Sequence, residues 1–529
     1  MSSRAAWGLA LALGCLPGLV GLLSPSDVGT HDQGKQVMYV VDALQGHWLI
    51  PHERGIVATK PPLYTWLAAV PASLLGLDEV TVRLPSLVGS LALAALAFAI
   101  GRRTVGQEAA LFGVALLAVT QHVSKLAFLA RTDMLLAAFV AGAFAAWLAG
   151  RATAFWLCVG LGVLTKGPVG LAVPLAGVGV TLAARRDVAG LRRLEPLRGL
   201  AIVAALVAVW LVPALVLHRG AMLEMIRVEL FDQITGTGEY SGAKHQPFWY
   251  LVPYFFLKLA PWSALVVLAA RDAARPRSPA FPLFAWLVGG LFVFLFPASK
   301  RPDHLLPMHL PAALLAGSVL ARFATAPKDG DALPAASPAL ARGLDVGARL
   351  WTLGAGGFAL AALPLAAAGV LPTRTAPPIG AWLVCGLALL PLVHALRPGA
   401  APRARIAAAL CAQLLSVFAF AQVGTAAAEN AESPPMRAFA RDVAAAAGDE
   451  EIAFVETDSF PLQFLLQRNV RELKRDALPG LVAAPEPTWV VLPEELFPAL
   501  PGAQAVARSE PRPSHHGRRL VLARTRGAG

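Results

Sequence analysis

Apolar runs long enough to cross a bilayer recur along almost the whole chain, and they leave few other folds open to it. A helix needs about 20 mostly apolar residues to span roughly 30 Å of hydrocarbon. Candidate spans run Ala5–Leu23, Leu84–Ile100, Ala109–Thr120, Asp133–Gly150, Ala154–Leu164, Gly167–Ala184 and Gly199–Leu217. They continue with Phe248–Ala270, Phe281–Pro297, Leu305–Ala321, Trp351–Val370, Gly380–Leu396 and Ile406–Val423. The run Leu63–Leu77 is also apolar, but Pro61, Pro62 and Pro71 punctuate it, so it reads as interfacial or re-entrant. Only 15% of the 529 residues are charged, against roughly 25% in soluble proteins. A domain of this size in water would need more polar surface than that. The expected fold is an α-helical polytopic membrane protein of about thirteen transmembrane helices.

Orientation follows from the arginines. With the N-terminus in the cytoplasm, the cytoplasmic connections carry Arg102 and Arg103, Arg151, and Arg185, Arg186, Arg192, Arg193 and Arg198. Later ones carry Arg271, Arg275 and Arg277, then Arg322, Lys328, Arg342 and Arg349, then Arg397, Arg403 and Arg405. This is the positive-inside pattern. The net charge of +12 therefore reads as topology and not as a nucleic-acid face. The opposite side receives Thr30–Arg83, Gln121–Arg131, Arg219–Pro247, Ser299–His304 and the tail after Val423. Arg4 and the apolar run behind it outline a signal peptide without a clear small-x-small cleavage site, so a retained first helix is expected. Cys15, Cys158, Cys385 and Cys411 all lie in apolar stretches and suggest neither disulfides nor a metal site.

The tail changes character. "FVE" and "WVVL" read as short strands alternating with helical turns, which predicts a small extracytoplasmic α/β domain over residues 426–529. Residues 1–425 then form the membrane domain, with residues 24–83 as its first extracytoplasmic loop. The Pro/Ala/Asp-rich stretch Ala324–Leu340 reads as a cytoplasmic linker.

Ionisable groups near membrane depth are costly and mark function by default. Five clusters fall on the extracytoplasmic side: "HDQGK" at His31, "ATKPPLYTW" around Lys60, "LARTDMLL" with Arg131 and Asp133, "LTKGPVG" with Lys166, and "ASKRPDHLLP" with Lys300, Asp303 and His304. A sixth, "RVELFDQITGTGEYSGAKHQPFWY", precedes the Phe248 run. Each has a plainer reading. Asp32 could cap a helix over Gln33–Leu44, and Lys60 could snorkel at the interface. Asp133 could simply pair with Arg131, Lys166 could mark a helix break, and Lys300 with Arg301 could be surface charge. Convergence on one side favours a single cavity. Several cations there suit a lipid phosphate or pyrophosphate, and aspartates beside them could orient or deprotonate an attacking group. No Walker or Rossmann glycine pattern stands on the cytoplasmic side, so nucleotide use is not expected. A divalent metal on His31, His47, His52 and Glu53 is possible, but the spacing is loose and no metal is expected to be essential.

In order, an acidic first-loop motif, "KPPLYTWL", "RLPSLVG", "RTDMLL", "LTKGPVG", "HQPFWYLVPYF" and "SKRPDHLLP" resemble bacterial GT-C glycosyltransferases of the aminoarabinose transferase and protein O-mannosyltransferase type. The resemblance runs from about His31 to Pro311. It implies an enzyme of the bacterial inner membrane. Such an enzyme transfers a sugar, usually with inversion, from a polyprenyl-phosphate (undecaprenyl-phosphate) carrier to an extracytoplasmic acceptor, either lipid A in lipopolysaccharide modification or a protein or glycan hydroxyl. It implies Asp32 as the first catalytic acid and Asp133 as the second acidic position. Lys60, Lys166 and Lys300 would then bind the carrier phosphate, with Arg131 and His304 in the same site. The pattern also departs from the family. Gln33 stands where a glutamate is usual, Leu230 and Gln233 where an asparagine and a phosphate-binding arginine are expected, and His304 where a tyrosine is common. Arg227 or Lys244 would then have to compensate for the arginine. Two rivals remain: a lipid or solute transporter, disfavoured by the lack of an internal repeat, and a catalytically lapsed relative.

Overall fold

The computed structural model describes residues 1–529 except 24–25, 30–32, 54, 59, 228–245, 298–299, 326–337, 372–385, 388, 395–396, 398, 425, 458, 513–516 and 528–529. The chain is a mostly helical membrane protein with a small C-terminal sheet domain. Among the described residues six helices are long and apolar enough to cross a membrane, or up to eight if each of two bent pairs counts as one span, and five further apolar helices are shorter. The expected span at Gly380–Leu396 and the middle of the Ala324–Leu340 linker fall largely outside the described residues.

Helix α1 (Ser3–Leu23) packs on α4 (Leu84–Thr104). Between them lie α2 (Gly34–Leu44), the hairpin β1 (His52–Glu53) and β2 (Ile56–Val57), and α3 (Leu63–Leu75). Then follow α5 (Gln107–Ala118), α6 (Gln121–Ala127), α7 (Thr132–Leu148), α8 (Ala152–Lys166) and α9 (Val169–Arg185). The short α10 (Val188–Arg193) leads into α11 (Pro196–Leu217) and α12 (Arg219–Ile226). Beyond these come α13 (Leu251–Leu259), α14 (Ser263–Ala273), α15 (Phe281–Val293), α16 (Leu306–Thr325), α17 (Pro338–Ala367) and α18 (Pro402–Val423).

Two expected spans need correction. The run after Ala109 does not end in a loop: α5 breaks at Thr120, whose backbone is extended, and continues as α6 at an angle of 67°. The run Phe248–Ala270 is two helices, α13 and α14, bent by 109° around Pro261. Proline supplies no N–H and its ring clashes with the preceding turn, so a helix cannot run through it undisturbed. The α8–α9 break is set by Gly167, with φ +70°, followed by Pro168. These two helices then approach closely. A Cβ on Gly170 would stand 2.2 Å from the Gly162 carbonyl carbon, so only glycine permits this hairpin, and the hairpin fixes Lys166 at its tip.

The main core runs through α1, α4–α9, α13–α16 and α18, with Phe144 stacked on Trp286 at 4.0 Å between ring centroids. The C-terminal domain begins with α19 (Ala426–Ala447). Its five-stranded sheet has the order β4-β3-β5-β7-β6, from β3 (Ile452–Val455), β4 (Glu472–Leu473), β5 (Trp489–Pro493), β6 (Gln504–Arg508) and β7 (Leu520–Arg524). β3 is parallel to β4 and β5, while β7 is antiparallel to β5 and β6. Both faces are covered. Val491 and Leu522 pack with Phe439 and Val443 of α19, whereas Val490, Leu492 and Val521 pack with Leu478 and Leu496 on the other side. That is the period-2 alternation of a strand buried on both faces. The two strands read from sequence are the central strand β5 and its neighbour β3.

This domain sits on the first loop. Phe464, in the short helix α20 (Phe460–Leu465), joins the cluster of Val37, Met38, Val41 and Tyr64. A Cβ on Gly34 would stand 2.7 Å from the Phe460 ring. Asn469 donates to the His52 carbonyl at 2.7 Å, and Ser433 donates to Asp27 at 2.8 Å.

Candidate active site

Asp133 lies in the first turn of α7, where the unsatisfied N–H groups of a helix favour negative charge. Its side chain is 2% exposed and takes two cations: Lys166 on Oδ1, and the Arg131 Nε on Oδ2 at 3.0 Å. Arg131 reaches onward through Nη1 to Asp303 Oδ2 at 2.8 Å. The other oxygen of Asp303 meets His122 Nε2 at 2.9 Å, and His122 Nδ1 lies 3.3 Å from His309 Nε2. A continuous, largely buried polar chain therefore runs Lys166, Asp133, Arg131, Asp303, His122, His309. Burying these charges is tolerable because each carboxylate meets a cation or an imidazole.

Each member arrives from a different element. Lys166 ends α8, Arg131 and Asp133 open α7, and Asp303 lies in the 3-10 turn Pro302–Leu305 ahead of α16. His122 sits in α6, so the bend after α5 is what brings it to the cluster. The His304 ring packs on Phe294, with centroids 5.8 Å apart, and feels the charges of Lys166, Asp133, Lys60 and Arg301. Lys60, half-buried ahead of α3, acts electrostatically on Lys166 as well.

The structure thus joins Arg131, Asp133 and Lys166 directly, with His304 and Lys60 within electrostatic reach of them. Lys300 goes elsewhere: its ammonium, in a residue 9% exposed, donates to the Pro297 carbonyl at 2.6 Å and approaches the Gln246 carbonyl at 3.5 Å. Burial lowers its pKa. Asp32, Gln233 and Lys244 lie outside the described residues. The cap residue of α2 is Gln33, which makes no side-chain cap bond. Both the plain and the functional readings of Asp133 meet in one geometry, since its partner is Arg131 but also Lys166. His122 and His309 were missed. Neither stands in a charged motif, and only the placement of "TQHVSK" just past an apolar run could have flagged His122.

The site backbone is itself braced. Tyr64 of "KPPLYTWL" hydrogen-bonds Ser86 of "RLPSLVG" at 3.0 Å, and Ser86 donates to the Leu129 carbonyl at 2.6 Å. In the first loop, Asp42 is buried and accepts the His52 N–H at 2.6 Å, with His52 Nδ1 at 3.3 Å and His47 Nδ1 at 3.1 Å. Burial pushes its carboxyl up, but the His52 ring and backbone bonds, Asn469 and the nearby His47 outweigh this and hold it below its ordinary value. His47 and His52 are therefore turned toward a carboxylate within the loop. A depressed carboxyl contributes stability above the unfolded pKa of about 3.9 and loses it as pH falls through the folded value. Asp42→Asn should cost about 1–3 kcal/mol at neutral pH, and its melting temperature should lack the acid-side drop of the wild type. A thermal-shift series across pH in detergent checks this; parallel curves for the two proteins would remove the role given to Asp42.

Residues 59–212 match the family described as dolichyl-phosphate-mannose-protein mannosyltransferase. The chain is 28% identical over 311 residues to the undecaprenyl phosphate-alpha-4-amino-4-deoxy-L-arabinose arabinosyl transferase of Pectobacterium carotovorum, covering 54% of this chain and 53% of that protein. The corresponding protein of Pseudomonas aeruginosa UCBPP-PA14 is 29% identical over 347 residues, covering 60% of each. The chain spans about half the length of the curated relatives it matches. In three dimensions it superposes on ArnT from Cupriavidus metallidurans, solved bound to undecaprenyl phosphate, with a TM-score of 0.74 at 20% identity over 98% of this chain and 97% of that one. The apo form of the same protein gives 0.74 at 19% identity. By its fold, and by the sequence of residues 59–212, the chain resembles the GT-C glycosyltransferases of the aminoarabinose-transferase and protein-mannosyltransferase type.

Proposed function

We propose that this chain is an integral-membrane glycosyltransferase that moves a sugar from a polyprenyl-phosphate carrier to an acceptor outside the cytoplasmic membrane. The observation that carries the reading is the junction of Arg131 and Lys166 on the buried Asp133, at the end of the helices away from the arginine-bearing connections. The likeness to arabinosyl transferases named for undecaprenyl phosphate supports this donor class. Lipid A or a similar glycolipid is the acceptor implied by the resemblance to aminoarabinose transferases, with a protein hydroxyl as the second choice from the mannosyltransferase match.

The chemistry follows from charge. As the glycosidic bond breaks, negative charge grows on the departing carrier phosphate. Fixed cations in a water-poor site stabilise that state more than the ground state. Lys166 and Arg131 share Asp133, and Lys60 lies within electrostatic reach of Lys166, so these three cations would answer the leaving phosphate. Asp133 orients the reacting groups by holding both cations, and Asp32 would accept the proton of an acceptor hydroxyl.

Supplying the purified protein in nanodiscs with undecaprenyl-phosphate-linked sugars and a membrane extract tests the reading. Sugar transfer should require the carrier-linked donor, and Lys60→Ala should lower kcat/KM about tenfold. No transfer from any such donor would end the proposal and leave a transporter or a lapsed relative.

A further inference from the structure

The side chain of Gln33 is fully buried and works at both ends. Its oxygen accepts from the Arg83 Nε at 3.0 Å and from the Ala130 backbone N–H at 2.9 Å. Its nitrogen donates to the Asp27 carbonyl at 3.1 Å and reaches Ser26 Oγ at 3.4 Å. Arg83 is also fully buried. It donates to the Ser26 carbonyl, lies 3.7 Å from Glu79, and sits 4.9 Å from the centre of the Phe128 ring. Glu79 is in turn paired with Arg437 of α19, which also lies 3.8 Å from Asp27.

The placement of these bonds matters. Gln33 directly follows Asp32 in the chain, and Ala130 directly precedes Arg131. One amide therefore ties together the two backbone segments that bear the candidate catalytic groups. An arginine inside the bundle braces that amide, and the C-terminal domain touches the brace from outside.

We infer that Gln33 and Arg83 are positioning residues forming a latch between the Asp32 and Arg131–Asp133 segments, and that the C-terminal α/β domain holds this latch through Arg437. The inference rests on the proposed transferase reading only for its kinetic consequence. A neutral amide suits the position because it both accepts and donates. A carboxylate would keep the Arg83 and Ala130 bonds but set an unprotonated oxygen against the Asp27 carbonyl. In its protonated form a glutamate would restore that donor. Small displacements of catalytic groups cost roughly a hundredfold in rate, whereas breaking an exposed ion pair costs at most about fivefold.

The test uses the full chain in nanodiscs, with hydrogen–deuterium exchange and kinetics on Gln33→Ala, Gln33→Glu and Arg437→Ala. Exchange in the segment around Ala130 should rise strongly in Gln33→Ala and modestly in Arg437→Ala. In Gln33→Ala, kcat should fall roughly a hundredfold with KM for the carrier-linked sugar within about twofold. The rate of Gln33→Glu relative to wild type should approach one at low pH and decline as pH rises, because the protonated acid is the form that mimics the amide. Unchanged exchange at Ala130 in Gln33→Ala overturns the latch. Raised exchange with unchanged kcat overturns the positioning role, and Arg437→Ala matching wild type in both readouts overturns the part given to the C-terminal domain. If the wild type transfers nothing, the transferase reading fails, while the exchange measurements still decide the latch.

Discussion

Asp133→Asn should lower sugar transfer by roughly 10²–10³ and cost about 3–5 kcal/mol of stability. The substitution keeps shape and one acceptor but removes the charge that Lys166 and Arg131 share. Two buried cations then face each other without their common anion, and Asp303 alone remains to balance Arg131. Loss of fold and loss of chemistry are separable. Adding Lys166→Met to Asp133→Asn removes one of the stranded cations, so the melting temperature should recover much of its drop while transfer stays low. Recovery of both would mean that Asp133 only compensates charge. Full transfer by Asp133→Asn alone would remove it from the site.

Asp32→Asn should lower transfer to a hydroxyl acceptor by about 10²–10⁴, the usual contribution of a general base, with little change in stability. Its side chain lies outside the described residues, so the expectation rests on the place Asp32 takes in the resemblance to GT-C transferases and on its covalent neighbour. Gln33 is pinned to Arg83 and Ala130 and so ties the adjoining segment to the Arg131–Asp133 end of α7. The acceptor separates two roles. A hydroxyl must lose a proton, so the asparagine variant should be slow, with the deficit shrinking as the pH rises. A phosphate acceptor is already anionic and needs no base, and the deficit would then be smaller and independent of pH. Equal transfer by wild type and variant on both acceptors would sink the role of Asp32.

Much of the helical layout could be read from the sequence because hydrocarbon imposes a simple rule: every backbone group must be satisfied within an apolar segment of fixed length. Strands β3 and β5 of the tail were legible for a similar reason, since "IAFV" and "WVVLP" are β-branched and aromatic runs. The edge strand β4 is two residues long and carries no pattern of its own. The first bend escaped because Gln121, His122, Ser124 and Lys125 read as a polar loop, whereas they form α6 after a turn of 67°. The second escaped because apolar composition continues through it, with Pro261 as the visible sign of the 109° turn between α13 and α14.

Sequence by itself determined that the chain is a helical membrane protein, which residues are too costly to bury without purpose, and at which end of the spans they gather. Which charge meets which was decided only by the tertiary structure. Asp133 finds Lys166 33 residues away, Arg131 finds Asp303 172 residues away, and His122 finds Asp303 181 residues away. Hydropathy is a local property, legible in a window of one helix. Pairing is a property of the bend after α5, the glycine contact between α8 and α9, and the seat of the C-terminal domain on the first loop. The absence of a carboxylate at position 33 shows the difference. In the sequence Gln33 is a missing charge, and in the fold it is an amide whose donor and acceptor are both in use.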